Sequence, residues 1–251
     1  MRKVTATIQA RTRSSRLPGK VLMEICGKPL LELLVERLKC SRLIDKIVIA
    51  TSDHPQDTPI AELAERLKIG CFRGSEDDVL GRVVGALKEF EVGIHAEFQG
   101  DNVMPDPMLI DSVIGYYIKH SDQYDYVTNG LKTTYPPGQE VAVYPASVLI
   151  EAERDWQREL AREHVGIHVY KRTEKFRVKN LEAPTWHHYP DYHLEVDTEE
   201  DFNVIRQVFE HFHYDNLGFS LGEIISYLKE SQAFEANRGV NRRWREFRDD
   251  E

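Results

Sequence analysis

Between Val4 and Ile118, short runs of apolar and β-branched residues alternate with longer segments whose apolar residues recur at helical spacing. This alternation predicts an α/β fold in which a mostly parallel sheet carries helices on both faces. Such sheets bind ligands outside the carboxyl ends of their strands. The predicted strands are Val4–Ala10, Lys46–Ala50, Gly70–Phe72 and Ile94–Gln99, and the predicted helices are Leu30–Lys39, Thr58–Lys68, Asp77–Phe90 with Ser75 as its N-cap, and Pro107–Ile118.

The pattern changes at Tyr124, where closely spaced strand-like runs replace the βα alternation. This segment predicts an inserted β-rich arm at about residues 124–190 of a single domain that spans residues 1–251. The predicted strands of the second half are Tyr124–Asn129, Gln139–Tyr144, Val165–Lys171, Phe176–Asn180 and Tyr192–Val196, and the predicted helices are Pro145–Asp155, Asp201–Phe212 and Ser220–Lys229.

The overall composition restricts the classes of function. A net charge of −9, from 33 basic and 42 acidic residues, disfavours general nucleic-acid binding. The apolar stretches fall short of the roughly 20 residues that span a bilayer, and no N-terminal signal is visible, so we expect no membrane association. The three cysteines, Cys26, Cys40 and Cys71, are widely spaced without a CxxC motif, which favours reduced thiols in the cytoplasm.

A basic loop follows the first predicted strand. Arg11, Arg13, Arg16 and Lys20 place four cations within ten residues of an otherwise acidic chain. Gly19 allows the backbone to approach an anion closely, and successive N–H groups in such turns form concave anion sites. The alternative is a solvated basic loop, but the charge density and the position at a strand end favour an anion site.

Two acidic residues also follow predicted strands. Asp101 comes after Gln99-Gly100, and Asp197 comes directly after the predicted strand Tyr192–Val196. Hard carboxylate oxygens suit Mg²⁺, which takes one or two protein carboxylates and completes its shell with phosphates and water. An acidic turn or helix cap is the commoner role for such residues. The pattern by itself leaves both interpretations open.

Several sequence blocks occur in a recognisable order. They are Ile8 to Arg11 with Ser15 to Lys20, Gly27 to Leu30, Arg73 to Leu80, Gln99 to Asp101, Tyr135 to Gly138, Arg162 to His164, and Val196 to Asp201. In these blocks the chain resembles the acylneuraminate and 3-deoxy-manno-octulosonate (KDO) cytidylyltransferases, and among them the branch of spore-coat polysaccharide biosynthesis proteins. The resemblance extends from Val4 to about Val208, and the block that ends in Arg16-Leu17-Pro18-Gly19-Lys20 is its most specific part.

The resemblance implies a Rossmann-like three-layer nucleotidyltransferase fold that transfers CMP from CTP to a small acceptor and releases pyrophosphate. It implies catalytic roles for Arg11, Lys20 and Asp101, and a Mg²⁺ cofactor held by Asp101 and Asp197. The nucleotide-binding residues that it implies are Ala10, Arg11, Arg16, Gly19, Lys20, Arg73, Gly74, Ser75 and Gln99.

The resemblance favours a small acidic sugar used in surface polysaccharide biosynthesis as the acceptor, and it leaves a small phosphonate or phosphate open as the alternative. Candidate acceptor contacts are Tyr135, Gln139, Glu140, Arg162, His164 and His193. His193 stands where many relatives carry an arginine, which could bind an acidic acceptor constitutively, whereas a histidine could not. Another departure is Gly81, where many relatives carry an aspartate. The family also implies a homodimer that forms through the second-half segment.

Two other functions fit parts of the pattern. A GT-A-type glycosyltransferase shares the sheet and a metal-binding carboxylate but uses a finished sugar nucleotide. The arginine-rich loop that ends in Gly19-Lys20 favours a triphosphate over that substrate. A non-catalytic nucleotide-binding regulator is the other alternative, and it would not require both Asp101 and Asp197.

Overall fold

A central sheet organises the computed structural model of the chain, which describes residues 3–155, 162, 165–212 and 217–240. The strands are β1 Val4–Gln9, β2 Glu24–Ile25, β3 Lys28–Pro29, β4 Lys46–Ser52, β5 Gly70–Gly74, β6 Ile94–Gln99, β7 Tyr126–Thr128, β8 Ala142–Pro145 and β9 Val178–Asn180. Seven of them form the sheet in the order β5-β4-β1-β6-β8-β7-β9, while β2 and β3 form a separate hairpin. Within the sheet, neighbouring strands are parallel except where β8 meets β6 and β7.

Helices cover both faces of this sheet. They are α1 Leu30–Lys39, α2 Thr58–Arg66, α3 Val79–Glu89, α4 Pro107–Lys119, α5 Ala146–Asp155, α6 Ile167–Tyr170, α7 Glu199–Phe212 and α8 Leu221–Ser231. In β4, Ile47 and Ile49 pack with α1, α2 and α4, whereas Val48 and Ala50 pack with α3, α5 and α6. Successive side chains of a strand point to opposite faces, so a strand covered on both sides is apolar throughout its centre. The predicted α/β fold with a mostly parallel sheet is confirmed.

A third apolar cluster joins α7 and α8 to the loops that follow β1 and β6. Leu17 comes from the basic loop, Val103 and Met104 come from the loop after β6, and all three are buried against residues of α7 and α8. The two C-terminal helices therefore support the carboxyl edge of the sheet, where the predicted site lies.

Two predicted strands are absent from the described part of the chain. Residues 165–171, predicted as a strand, begin with a turn and continue as α6, because Val165 and Val169 lie four residues apart and pack together on the same apolar cluster. Residues 192–196 form no strand either. Leu194 N–H donates to Pro137 O and Val196 N–H donates to Asp101 O, so this segment connects two loops and pairs with no single strand.

The start of α3 also differs from the prediction. Asp78 caps this helix, since its carboxylate accepts a hydrogen bond from Gly81 N–H at 2.8 Å. Ser75, the predicted cap, accepts a hydrogen bond from Asp78 N–H at 3.2 Å one step earlier in the chain. The N-cap prediction for Ser75 is therefore wrong by three residues.

The segment predicted as an arm contributes β7, β8 and β9, and these strands extend the central sheet. The antiparallel β8 lies between β6 and β7, so the strands of the second half of the chain belong to the same sheet as the parallel strands of the first half. In the described residues, every helix is too short or too polar to cross a membrane.

Candidate functional site

The basic loop after β1 is held in shape by a buried carboxylate. Asp57, at the start of α2, accepts hydrogen bonds from Thr12 N–H at 2.8 Å and from Thr12 Oγ1 at 2.6 Å. Thr12 O in turn accepts the Gly19 N–H at 2.7 Å, which closes the loop. Gly19 has φ +74°, in the left-handed region that glycine adopts without strain.

The protonation of Asp57 follows from these bonds. Burial raises the pKa of its carboxyl, but hydrogen bonds from Ser52 and Thr12 outweigh burial and hold that pKa below its ordinary value. Asp57 is therefore charged at neutral pH and acts as a fixed acceptor at the base of the loop.

The next residue of the loop, Lys20, reaches the two predicted metal ligands. Its Nζ lies 2.8 Å from Asp101 Oδ2, 2.9 Å from Asp197 Oδ1 and 2.7 Å from Val196 O. The Lys20 side chain is only 8 % exposed. Burial lowers the pKa of the ammonium, but the charges of Asp101 and Asp197 outweigh burial and raise that pKa above its ordinary value. The structure thus gathers three predicted residues into one ionic cluster.

The other loop arginines differ in their partners. Arg16 Nη2 lies 2.5 Å from Asp197 Oδ2, and Arg13 Nη1 lies 2.9 Å from Glu76 Oε2. Arg11 is half-buried and forms no hydrogen bond or ion pair with the residues that the structure describes. It lies close enough to Arg82 of α3 that, after burial itself, the Arg11 charge is the largest cause of the lowered pKa of Arg82. Arg11 is therefore the loop cation available to an anion.

A second loop, between β5 and α3, faces the basic loop. The predicted nucleotide contacts Arg73, Gly74 and Ser75 lie here, at the carboxyl end of β5. Arg73 donates to Ser52 O at 3.1 Å and to His54 O at 2.9 Å, so it ties this loop to the end of β4. Arg82, which sequence reasoning missed, donates to Ser75 O at 2.6 Å from the first turns of α3.

The remaining nucleotide predictions lie at the ends of β1 and β6. Ala10 is buried, and its N–H donates to Ala50 O at 3.3 Å. Gln99 ends β6 with an exposed side chain. Gly100 N–H donates to Gln9 O at 2.8 Å, which holds the loop that carries Asp101 against β1.

The predicted acceptor contacts are spread over several places. Glu140 Oε2 accepts hydrogen bonds from Gly138 N–H at 2.8 Å and from Asn102 Nδ2 at 3.2 Å, so it lies beside Asp101. Tyr135 is half-buried, 6.4 Å from the His187 ring. Gln139 is fully buried, and both ends of its amide bond the backbone of the loop after β6. That geometry supports the loop and offers no group to the cleft.

Arg162 and His193 also lie apart from the ionic cluster. Arg162 forms a two-pronged pair with Asp78 at the start of α3, with Nε 2.8 Å from Asp78 Oδ1. A side chain at Gly81 would place its Cβ 2.3 Å from Asp78 Oδ2, so glycine leaves room for this pair. His193 is 4 % exposed and lies beneath the surface. His164 lies outside the described residues.

Asp201 supports the turn that carries Asp197. Its Oδ2 accepts hydrogen bonds from Asp197 N–H at 3.1 Å and from Thr198 N–H at 3.0 Å. Its Oδ1 accepts from Asn237 Nδ2 at 2.9 Å, and Asn237 also donates to His193 O. The Thr-x-x-Asp spacing resembles a capping box and is the sequence signal for this contact.

Comparison with known proteins agrees with this geometry. The sequence profile of the family described as Cytidylyltransferase matches residues 5–239. The spore coat polysaccharide biosynthesis protein SpsF of Bacillus subtilis is 34% identical over 215 residues, which cover 84% of this chain and 88% of that protein. The 3-deoxy-manno-octulosonate cytidylyltransferase of Geobacter metallireducens is 24% identical over 193 residues, 68% of this chain and 75% of that protein. A solved cytidylyltransferase structure from Leptospira borgpetersenii has a TM-score of 0.89 and 26% identity, covering 96% of this chain and all 100% of that one.

Proposed function

The chain belongs to the cytidylyltransferase family and is a nucleotidyltransferase, and we propose that it transfers CMP from CTP to an acidic sugar in surface polysaccharide biosynthesis. The observation that carries the proposal is the convergence of Lys20, Asp101 and Asp197 at the carboxyl edge of the sheet. A cationic loop and two carboxylates at one point suit a triphosphate with its divalent cation. The description of SpsF supports the polysaccharide role.

In the proposed reaction, an acceptor oxygen attacks the α-phosphate of CTP in line and the bond to the β-phosphate breaks. Catalysis of such a transfer is mainly positioning and electrostatic stabilisation, without a covalent enzyme intermediate. Arg11, free of protein partners among the described residues, and Lys20 hold the phosphates. The same cations stabilise the departing pyrophosphate.

Mg²⁺ fits the carboxylates of the site. The described residues contain no cluster of three or more His, Cys, Asp or Glu side chains that could hold a metal alone. Mg²⁺ needs only one or two carboxylates when substrate phosphates and water complete its shell. Asp101 Oδ1 is buried and has no hydrogen-bond partner, and Asp197 lies beside it. When bound, the ion would neutralise charge on the phosphates.

The acceptor, the assembly and the location extend the proposal. Glu140 contacts Asn102 and precedes β8, which lies on the side of β6 opposite to β1, β4 and β5. We assign the acceptor to this side, with Tyr135 in the same loop. A homodimer through the segment 124–190 is part of the proposal, and light scattering at micromolar concentration tests it, since a strict monomer contradicts it.

The location of the protein is also part of the proposal. The free thiols of Cys26, Cys40 and Cys71 favour a cytoplasmic location, where thiols stay reduced.

A pyrophosphate-release screen tests the reaction. Purified protein is given CTP, Mg²⁺ and a panel of acidic sugars, with ATP, GTP and UTP in parallel. We expect release with CTP and at least one acceptor, and none with EDTA. Asp101→Asn and Asp197→Asn should each abolish most activity, and the double variant should be little worse than either, since both bind one ion. The proposal is contradicted if no acceptor in the panel leads to pyrophosphate release from CTP, or if the protein uses a finished sugar nucleotide instead.

A further inference from the structure

The Lys20 ammonium fills the space between the two carboxylates. An ammonium has three N–H donors, and those of Lys20 have three acceptors within 2.9 Å: Asp101 Oδ2, Asp197 Oδ1 and Val196 O. Two of these acceptors belong to Asp101 and Asp197, the carboxylates that would hold a shared divalent cation. Lys20 therefore neutralises charge on both carboxylates from within the protein.

The charges around this contact are balanced without a metal. Arg16 pairs with the second oxygen of Asp197 at 2.5 Å, so two carboxylates face two cations. Among these carboxylate oxygens, Asp101 Oδ1 has no hydrogen-bond partner in the structure. A divalent cation that approached would meet the buried ammonium at short range, and the weak screening of a buried site makes like charges strongly repulsive there.

The position of Lys20 in the chain gives the ammonium another place to go. Lys20 directly follows Gly19 at the end of the basic loop and lies on the short 3₁₀ turn Lys20–Leu22. Its side chain has a flexible four-carbon stem, and the same loop presents Arg11, which is free of partners among the described residues. A triphosphate bound at this loop offers oxygens that can replace the carboxylates as acceptors for the ammonium.

We propose that Lys20 is a displaceable counter-ion that keeps divalent cations from Asp101 and Asp197 until a nucleoside triphosphate draws it away. The metal then enters together with the nucleotide, and the free enzyme has little affinity for it. The part of this inference that concerns the triphosphate rests on the proposed function, whereas the exclusion of the metal rests on the contacts of Lys20 alone.

Binding of Mn²⁺ to the nucleotide-free protein tests the exclusion. Mn²⁺ prefers the same oxygen ligands as Mg²⁺, and its free concentration is read by electron paramagnetic resonance. We expect Lys20→Met to bind one Mn²⁺ about tenfold more tightly than the wild type, or better. Adding Asp197→Asn should abolish that gain. Lys28→Met is the matched control, because Lys28 pairs with Glu36 away from the cluster, and it should bind as the wild type does.

The same Mn²⁺ titration in the presence of a nucleotide distinguishes this inference from the proposed reaction. A non-hydrolysable α,β-methylene analogue of CTP should tighten Mn²⁺ binding by at least about tenfold in the wild type and much less in Lys20→Met. If the Lys20→Met gain appears but the analogue has no effect, Lys20 still excludes the metal and the assignment of CTP fails.

Three results overturn the inference itself. The first is tight Mn²⁺ binding by the nucleotide-free wild type at the level of Lys20→Met, and the second is weaker binding by Lys20→Met. Lys20→Gln is measured alongside in case Lys20→Met does not fold. If neither variant folds, the wild-type titration with and without the analogue decides, and equally tight binding of Mn²⁺ in both is the third contrary result.

Discussion

Arg11 and Lys20 are both assigned to the triphosphate in our proposal, yet their contacts within the protein differ. Arg11 makes no hydrogen bond or ion pair with the described residues, whereas Lys20 neutralises two carboxylates and is buried between them. The structure therefore distinguishes Arg11, whose proposed role concerns the ligand alone, from Lys20, which also neutralises buried carboxylates of the protein.

Substitution of the two residues should reflect this difference. Arg11→Ala is expected to lower kcat/KM for CTP by about 10- to 150-fold, because a charge-assisted phosphate contact contributes about 1.5–3 kcal/mol, while the melting temperature stays unchanged. Lys20→Ala is expected to lower both quantities, because it leaves Asp101 and Asp197 together without their shared cation. Kinetics and thermal melting on the same preparations check this, and a fully stable Lys20→Ala protein would contradict it.

Asp57 predicts a defined pH dependence. Its pKa in the folded protein is lowered from the ordinary value of 3.8, through hydrogen bonds that outweigh burial. A lowered carboxyl pKa gives stability that is complete above the unfolded value and is lost as the pH falls through the folded value. The difference in unfolding free energy between the wild type and Asp57→Asn should thus be constant from about pH 7 to 5 and should shrink below about pH 4. Urea unfolding at each pH measures it, and a difference that grows in acid contradicts the assignment.

At the scale of elements, the proposed metal ligand Asp197 lies on the turn before α7, with no strand before it. Asp201 fixes this turn through the backbone N–H groups of Asp197 and Thr198, and Asn237 fixes Asp201 from the segment after α8. A residue near the described end of the chain thereby reaches the site through two hydrogen-bonded steps.

Asn237→Ala tests this support. It removes the hydrogen bonds that Asn237 donates to Asp201 and to His193 O. The unfolding free energy should fall by about 1–3 kcal/mol, because buried acceptors lose their donor. We also expect the Mg²⁺ concentration for half-maximal pyrophosphate release to rise, because Asp197 is less well positioned. Asn203→Ala, an exposed position on α7, is the control. A loss of stability with an unchanged Mg²⁺ requirement would restrict Asn237 to a structural role.

At the scale of the whole molecule, Arg37 joins the sheet to the C-terminal helices. It is fully buried in α1 and donates to Pro105 O, Leu217 O and Phe219 O. Burial lowers the pKa of its guanidinium to about 10, so it remains charged at neutral pH. The loop after β6 and the segment before α8 are thus held by one side chain.

Arg37→Met is expected to destabilise the protein by about 1–3 kcal/mol, because three carbonyl groups, two of them in buried contacts, lose their donor. The relief of desolvating a charge offsets part of this loss. Arg42→Met, at an exposed position, should leave the unfolding free energy unchanged. Urea unfolding of both variants measures the difference, and equal stability would show that water replaces the guanidinium without cost.

The sequence alone determined the alternation of strands and helices and the positions of the basic loop and of Asp101, because these depend on local periodicity and on charge beside strand ends. β4 is buried on both faces and is therefore apolar in its centre, so the strand can be predicted from the sequence. Most of the family blocks lie in the same half of the chain or at the start of α7, and two blocks, Tyr135 to Gly138 and Arg162 to His164, lie between them.

Only the tertiary structure decided what the ionic side chains contact. Residues 165–171 resemble a strand by composition, but packing of Val165 and Val169 on one cluster favours a helix there. The contacts of Lys20 join residues 81 and 177 positions apart in the chain, and local sequence carries no information about such a pairing. Gln139 is a candidate acceptor contact by sequence, yet it is buried and its amide hydrogen-bonds the backbone of a loop more than 30 residues away. Local periodicity specifies elements, whereas the partner of a charged side chain depends on which loops the completed fold brings together.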